Sequence, residues 1–413
     1  MKINRRLALS ASAAAALPLF SNKLLAGESD WPTWRGPKRD GYATGDQWPA
    51  DLSSLKQVWS KDLSESYSGP IVFDGRVYTT ETLKQQDETL MALDAKTGDE
   101  IWRKQWAGAM QVPFFAKANG DWIRSTPACD GKHIVVCGMR DVVACFDAAT
   151  GEEKWRVDFE KLGEPLPSFG LVCSPLIDGD FVYLQAGGGV RKMQLATGET
   201  VWQAMRDGGG MYGGAFSSPT IETVHGVRQL LCQTRTKLCG IDLESGKDLW
   251  SREIKSFRGM NILTPTVWND QVFTSSYGGR SQLIALEPGS DKWSTSVTWE
   301  GSAEAYMSSP VIVGDHLYMH LKNTRLSCIS LADGEETWRT KPFGKYWSII
   351  TNGEELLALD EKGELLLVAA NPEQYTLLDR KEISSEPTWA HVALADGHVF
   401  VRRLKGIDCY SWA

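Results

Sequence analysis

Six histidines and eight cysteines hold the obvious metal-binding, nucleophilic and redox capacity of this 413-residue sequence. The histidines are His133, His225, His316, His320, His391 and His398. On a regular strand His316 and His320 share one face but stand roughly 13 Å apart, too far for one metal ion. His391, two residues after Trp389, is the histidine whose neighbour points to ligand contact. The cysteines are Cys129, Cys137, Cys145, Cys173, Cys232, Cys239, Cys328 and Cys409, with no adjacent pair and no C-x-x-C. Zinc-ribbon and thioredoxin-like chemistry is thereby excluded. Cys232 and Cys239 flank a turn at Arg235-Thr236 and can face each other, although a cross-strand bridge is strained. All eight are read as small buried hydrophobes. Neither G-x-S-x-G nor H-E-x-x-H occurs. The glycine runs Gly187 to Gly189, Gly208 to Gly210 and Gly213-Gly214 lack the lysine and helix start of a phosphate loop, and read as backbone clearance. Spacing assigns no catalytic residue and no metal site.

The elements available to position side chains follow from composition and repetition. With 42% apolar and 23% charged residues the chain is globular. Its net charge of −8 argues against nucleic acid, whose phosphates need a basic stripe. Beyond the N-terminus no apolar run is long enough to span a bilayer. Residues 1–26 place Lys2, Arg5 and Arg6 before an apolar stretch from Leu7 to Phe20, the layout of a secretory signal. The pair Arg5-Arg6, followed by Leu7 and Leu9, resembles a twin-arginine signal. Cleavage is expected after Ala26, with an uncleaved anchor helix as the alternative. The chain is thus expected to be periplasmic or otherwise exported. Residues 27–57 form an arm bearing Trp31, Trp34, Arg35, Lys38, Arg39 and Trp48. It is expected to lie across one mouth of the domain that follows, or else to serve as a tether.

One segment recurs along residues 58–413. It opens with a Ser/Thr-Pro type step at Pro70, Pro127, Pro175, Pro219, Pro265 and Pro310. A short strand, a D-G type turn and two further strands follow, in hairpin chemistry. It closes on sequences such as LDAKTGDEIW (Leu93 to Trp102) and FDAATGEEKW (Phe146 to Trp155). Each closing tryptophan follows a glycine by four residues: Trp102, Trp155, Trp202, Trp250, Trp293 and Trp338. Two degenerate copies cover residues 345–383 and 388–413. The last lacks an outer strand, and Val58 to Leu63 matches Lys154 to Phe159 and Leu249 to Ile254. A four-strand period of about 45 residues indicates a propeller. The expected fold is an all-β, eight-bladed β-propeller whose ring is closed by the N-terminal strand, removing exposed sheet edges. The six tryptophans are its blade-to-blade staples, each burying on the order of 200 Å².

The run A-x-D-x-x-T-G-x-x-x-W resembles the tryptophan-docking motif of the pyrroloquinoline-quinone (PQQ) propellers. Ala92, Asp94, Thr97, Gly98 and Trp102 match it, as do Asp147, Thr150, Gly151 and Trp155. The resemblance implies the fold and leaves the activity open, because such repeats occur in quinoprotein alcohol dehydrogenases, BamB-like outer-membrane assembly proteins and sensor domains of exported kinases. The dehydrogenases imply PQQ with calcium as cofactors. They carry a vicinal cysteine disulfide, a Glu and an Asn on calcium, and an Asp base. This chain has no adjacent cysteines, no matching Glu/Asn/Asp set and little length for the insertions that wall the cofactor.

A ligand site is expected where innermost strands begin and face the channel. Tyr67, Arg124, Phe169, Tyr212, Asn261, Tyr306, Tyr346 and Trp389 occupy such positions. With Trp34 and Arg35 of the arm and His391 they form the candidate ligand-binding set. Aromatic rings beside a few polar groups suit a small-ligand or peptide pocket; the alternative is that they plug the channel. Paired acids for glycoside hydrolysis stay open, since a propeller gathers acids from distant blades. The function expected is a non-catalytic binding or scaffold module for an envelope protein, peptide or small ligand, acting as a monomer. A PQQ-dependent oxidoreductase with a reduced site is the competing reading.

Overall fold

A computed structural model describes residues 30–43 and 48–412. The expected signal, residues 1–26, and part of the arm lie outside the described residues. The rest forms eight antiparallel four-stranded sheets. The first blade runs Ile71–Phe73, Arg76–Leu83, Asp87–Asp94 and Glu100–Ala107 from the centre outward. The inner strands of blades two to seven are Ala128–Cys129, Leu176–Asp178, Thr220–Val224, Thr266–Trp268, Val311–Val313 and Trp347–Thr351. The eighth blade takes Ala393–Ala395, His398–Arg403 and Gly406–Ser411 from the C-terminus. Its outer strand is Lys56–Asp62, which pairs antiparallel with Gly406–Ser411 and closes the ring. That strand begins two residues inside the segment expected to be arm.

The tryptophan spacing has a register basis. In each outer strand a bulge sits beside one residue pair, and that pair holds the tryptophan: Ala92 with Trp102, Cys145 with Trp155, Lys192 with Trp202, Cys328 with Trp338. The rings of Trp102, Trp155 and Trp202 then lie on the turn glycines of the next blades, Gly151, Gly198 and Gly246, whereas Trp338 meets a turn at Asn371 that has no glycine. Gly151 has φ +68°, and a Cβ there would stand 2.7 Å from the Trp102 ring. Only glycine meets both demands. The indole N–H donates to a carbonyl of the same turn: Trp102 to Ala148 O (3.1 Å), Trp155 to Leu195 O (2.7 Å), Trp202 to Leu243 O (3.1 Å), Trp338 to Asn371 O (2.9 Å).

Three blades depart from this scheme. The fifth was expected to dock through Trp293. The residue at its bulge is Trp299, opposite Leu283, and Trp299 Nε1 donates to Leu331 O at 2.7 Å with its ring on Gly334. Trp293 is buried instead between blades four and five, its backbone N–H on Leu249 O. The cause lies in the shortened turn at Glu287 to Gly289, whose Gly289 abuts Lys292 rather than a ring. Without a turn to receive it, Trp250 folds inward and donates to Gln229 Oε1 of its own blade (2.7 Å). In blade seven the bulge position holds Asp379, which accepts the N–H groups of Leu52 and Ser53 and so clips the arm to the ring. Trp59 fills the same role for the closing strand, donating to Ala95 O at 2.9 Å.

Around the channel the Ser/Thr-Pro step makes a second belt. Gly69 N–H donates to Thr126 Oγ1, Thr126 N–H to Ser174 Oγ and Ser174 N–H to Ser218 Oγ, at 2.9–3.0 Å. Thr264 N–H reaches Ser309 Oγ and Val392 N–H reaches Ser348 Oγ. Inner-strand amides are thereby satisfied from blade to blade. The arm crosses inside this belt. Trp31 pairs with Val72 of blade one, and Gly41 and Ala43 bond Thr351 of blade seven. Arg39 donates to Ser174 O and Pro175 O of blade three, and Arg35 to Pro310 O of blade six. All eight cysteines are buried free thiols; Cys232 and Cys239 are register partners.

Two predictions follow from these joints. Trp155→Ala should cost about 3–5 kcal/mol, seen as a lower urea midpoint at unchanged m, whereas Trp155→Phe, which keeps a ring in the joint but loses part of its area and the bond to Leu195, should cost less, about 1–3 kcal/mol. The second concerns Glu88, fully buried between blades one and two, where it accepts N–H groups from Met139 and Trp106. Burial pushes its carboxyl up to about 8 from an ordinary 4.5. The folded state therefore holds a proton the unfolded chain has released. This group's stabilising contribution is full below pH 4.5 and is lost as pH rises toward 8. The urea midpoint should fall over that interval. Glu88→Gln should remove this component of the slope, at lower absolute stability because its amide nitrogen meets the Trp106 N–H.

Candidate functional site

At the mouth where inner strands begin, the arm closes the bottom of a cavity of about 360 Å³. Trp34 is its floor. The guanidinium carbons of Arg35 and Arg39 lie 5.5 and 5.4 Å from the Trp34 ring centroid, and His391 meets that ring edge-on at 5.2 Å. One wall is a stack of three rings from blades one, eight and seven. Tyr67 lies on Trp389 at 4.8 Å and 15°, and Trp389 on Tyr346 at 5.9 Å and 19°. The opposite wall is Phe115, Phe169 and Phe216, in edge contact at 6.3 and 5.6 Å.

Cations interrupt the aromatic surface. Arg124 lies 5.7 Å from the Tyr67 ring and donates to the carbonyls of Asn119 and Gly120. Arg235 lies 4.3 Å from Phe216 and 5.3 Å from Phe169. It is 3% exposed and donates to the carbonyls of Gly259 (2.6 Å), Arg258 (2.8 Å) and Gly213 (3.4 Å). Desolvation lowers its pKa to about 10 and lowers that of Arg124, yet both stay charged near neutrality. No Asp or Glu lines this cavity among the described residues. His391 shares a hydrogen bond with Ser348 Oγ (3.0 Å), and burial, with Arg35 nearby, pushes its pKa down to about 3. It is neutral at physiological pH. Burial raises Tyr67 to about 12, so its phenol stays protonated.

Of the expected site residues, Trp34, Tyr67, Arg124, Tyr306, Tyr346, Trp389 and His391 line this one cavity, with Phe169. Three do not. Arg35 is buried under Trp34, bonded to Asp40 O and Pro310 O. Tyr212 stands outside the wall, 60% exposed. Asn261 is fully buried and donates to Thr234 O and Arg235 O, so it holds the turn that carries Arg235. The wall positions missed in the sequence follow a simple rule. The residue three before each inner-strand proline lines the cavity: Tyr67, Arg124, Val172, Phe216, Ile262 and Met307. Strict counting finds Phe216 where Tyr212 was expected and Ile262 where Asn261 was. Arg235 carries no such signal, because a hairpin turn between two strands brings it in.

Below the arm a second cavity of about 610 Å³ opens among the D-G turns, lined by both signs of charge, including Lys38, Asp40, Asp178, Glu222 and Arg228. The aromatic cavity does not suit a calcium-bound quinone. Calcium takes carboxylate and carbonyl oxygens, and the aromatic cavity offers cations and no carboxylate. Among the described residues no cluster of three or more His, Cys, Asp or Glu is placed to hold a metal ion.

Comparison with known proteins supports this architecture. The profile of the family described as outer membrane protein assembly factor BamB matches residues 49–119 and 86–340. BamB of Shewanella oneidensis is 24% identical over 337 residues, covering 68% of this chain and 79% of that protein. BamB of Moranella endobia is 24% identical over 302 residues, 69% of this chain and 70% of that protein. The serine/threonine-protein kinase AfsK of Streptomyces griseus is 32% identical over 159 residues, 37% of this chain but only 18% of the kinase. Among solved structures, BamB from Moraxella catarrhalis superposes with a TM-score of 0.63 at 14% identity, covering 86% of this chain and 99% of that one. A europium-containing methanol dehydrogenase gives 0.55 at 13% identity, covering 92% and 91%. At such identities the structural likeness shows the fold alone. With intact tryptophan docks, an eight-bladed closed ring and a profile match over more than half its length, the chain belongs to the outer membrane protein assembly factor BamB family.

Proposed function

We propose that this chain is an exported, non-catalytic propeller that works as a monomeric binding or scaffold module for an envelope protein. The observation that carries the reading is the aromatic cavity together with its rim. Phe114 is 85% exposed, Phe257 49% and Phe115 50%, and Met211 and Tyr212 lie beside them. Phe114 and Phe115 belong to the short 3-10 turn Phe114–Asn119 in the first inter-blade loop, and Phe257 opens another, Phe257–Gly259. Large rings left in water around a concave apolar site mark a surface that a partner covers. Relatives named as assembly factors for outer membrane proteins support a partner in the envelope. The basic-then-apolar residues 1–26 support export. The oxidoreductase reading is disfavoured, because the cavity supplies no carboxylate for calcium and no group that titrates as a base near neutral pH.

The test is a photo-crosslinking residue placed in cells at Phe114 or Phe257, and at Val227 beside a D-G type turn on the other face. Adducts with an envelope protein are expected from the first two positions and not from Val227. Absence of adducts at Phe114 and Phe257 overturns the reading, as does dye reduction by the purified protein given PQQ, calcium and an alcohol.

A further inference from the structure

Acids outnumber bases in this chain, 52 to 44, and its surface arginines are paired accordingly. Arg228 meets Asp178, Arg140 meets Glu160, and Arg403 meets Asp62, Glu386 and Asp408. Arg124, Arg235 and Arg258 form no ion pair among the described residues, and all three face the aromatic cavity. Another buried arginine shows what a purely structural cation looks like here. Arg402 is 1% exposed, opens on neither cavity and spends its terminal nitrogens on carbonyls of Arg403, Leu404, Gly406, Ser64 and Thr80. Arg235 has three carbonyl partners, one of them long at 3.4 Å, and its five N–H groups leave donors toward the open space. The acid that acts on it from a distance, Asp207, is committed to the N–H groups of Gly209 and Gly214. Unlike Arg402, Arg235 lines an open cavity with N–H groups left over, so an anion entering from outside can complete its pair.

Resting on the binding-module reading above, we propose that this cavity recognises a carboxylate carried by an extended apolar peptide, with Arg235 and Arg124 as its anion-binding groups and Arg258 at the rim. The aromatic walls take the apolar side chains flanking the carboxylate. A peptide is favoured over a free small acid by the rim. The apolar surface does not stop at the cavity of about 360 Å³ but continues outward over Phe257, Phe115 and Phe114. A ligand confined to the cavity leaves those rings in water, whereas an extended chain covers both.

The experiment titrates the purified protein with acetyl-Leu-Phe-Leu as the free acid, the same tripeptide as its C-terminal amide, acetyl-Leu-Asp-Leu amide, and 3-phenylpropionate, read by calorimetry. The free acid is expected to bind at least about tenfold tighter than its amide, the discrimination a charged hydrogen-bonded pair supplies. Tight binding of the Asp peptide as well assigns recognition to internal acids along with chain termini; weak binding assigns it to termini. Arg235→Gln and Arg124→Gln should each erase the acid-over-amide preference, with melting curves showing that the variants fold. Arg258→Gln alters an exposed side chain and should narrow the preference without touching the fold. Equal affinity of acid and amide for the unmodified protein overturns the proposal, and needs no variant. Phenylpropionate binding as tightly as the tripeptide acid overturns the peptide as the occupant. Should cross-linking at Phe114 and Phe257 succeed while acid and amide bind alike, this inference fails and the binding-module reading stands. If cross-linking fails too, both fall.

Discussion

An indole ring lying on a left-handed glycine of the next sheet is the joint on which this molecule depends. It combines three terms that no substitution keeps together. The ring removes a large apolar area from water, its N–H satisfies a turn carbonyl, and the glycine both adopts positive φ and leaves room for the ring. Gly98, Gly151, Gly198, Gly246 and Gly334 each have a ring within 2.5–2.7 Å of where a Cβ would stand. A four-stranded sheet of 2- to 8-residue strands has little stability alone. Docked in series and closed by Lys56–Asp62, the sheets share one continuous set of inter-blade cores. The exception is instructive. At the fourth-to-fifth joint, where the turn is short, two tryptophans buried in one core, Trp250 and Trp293, replace one docked ring.

Ring closure with eight blades fixes a channel that inner-strand side chains do not fill, and the arm occupies its waist. The two mouths then inherit different chemistry from their connections. On one side each strand pair meets in a two-residue D-G type turn, too short to carry side chains inward, and the cavity there is polar with mixed charge. The other mouth is built from the irregular segments joining one blade's outer strand to the next blade's inner strand. Those segments are long enough to hold 3-10 turns and to present Phe115, Phe257 and Arg258. Loop length, not strand sequence, decides which face can become a site.

The blades were legible because their signals are local and repeated: a proline opening, a two-residue turn, a tryptophan four after a glycine. Trp293 shows the limit of that reading. It has the spacing, but docking depends on register, and an elongated outer strand hands the role to Trp299, six residues on. Trp59 was within reach, since the match of Val58 to Leu63 with Lys154 to Phe159 places it at the Trp155 position. The expected site residues that reached one cavity did so because they precede inner strands, as Tyr67, Arg124, Tyr306, Tyr346 and Trp389 do, or lie in the arm, as Trp34 does. Asn261 stands as far before its proline as Tyr306 does, and missed because its side chain turns back onto the carbonyls of Thr234 and Arg235, a contact no local pattern encodes. Tyr212 sits seven residues before its proline, in a loop whose path no local pattern encodes. Arg235 was invisible for a different reason. It projects from a hairpin between second and third strands, and the irregular segment leading into the same blade places Phe216 beside it.

The same desolvation that shapes the cavity sets the protonation of its wall. A general base near neutral pH needs a group whose protonated and free forms are both accessible there. His391, the only histidine on the wall, is held neutral by burial beside Arg35 and is already bonded to Ser348. The tyrosines are driven the other way by the same desolvation. What remains charged is cationic and fixed on carbonyls, with aromatic faces on either side. Such a wall suits the anion recognition proposed above. Because its cations are anchored by backbone rather than by flexible acids, the site is preorganised. The rigidity that the tryptophan joints confer on the ring thus reaches the cavity through the inner strands and the arm.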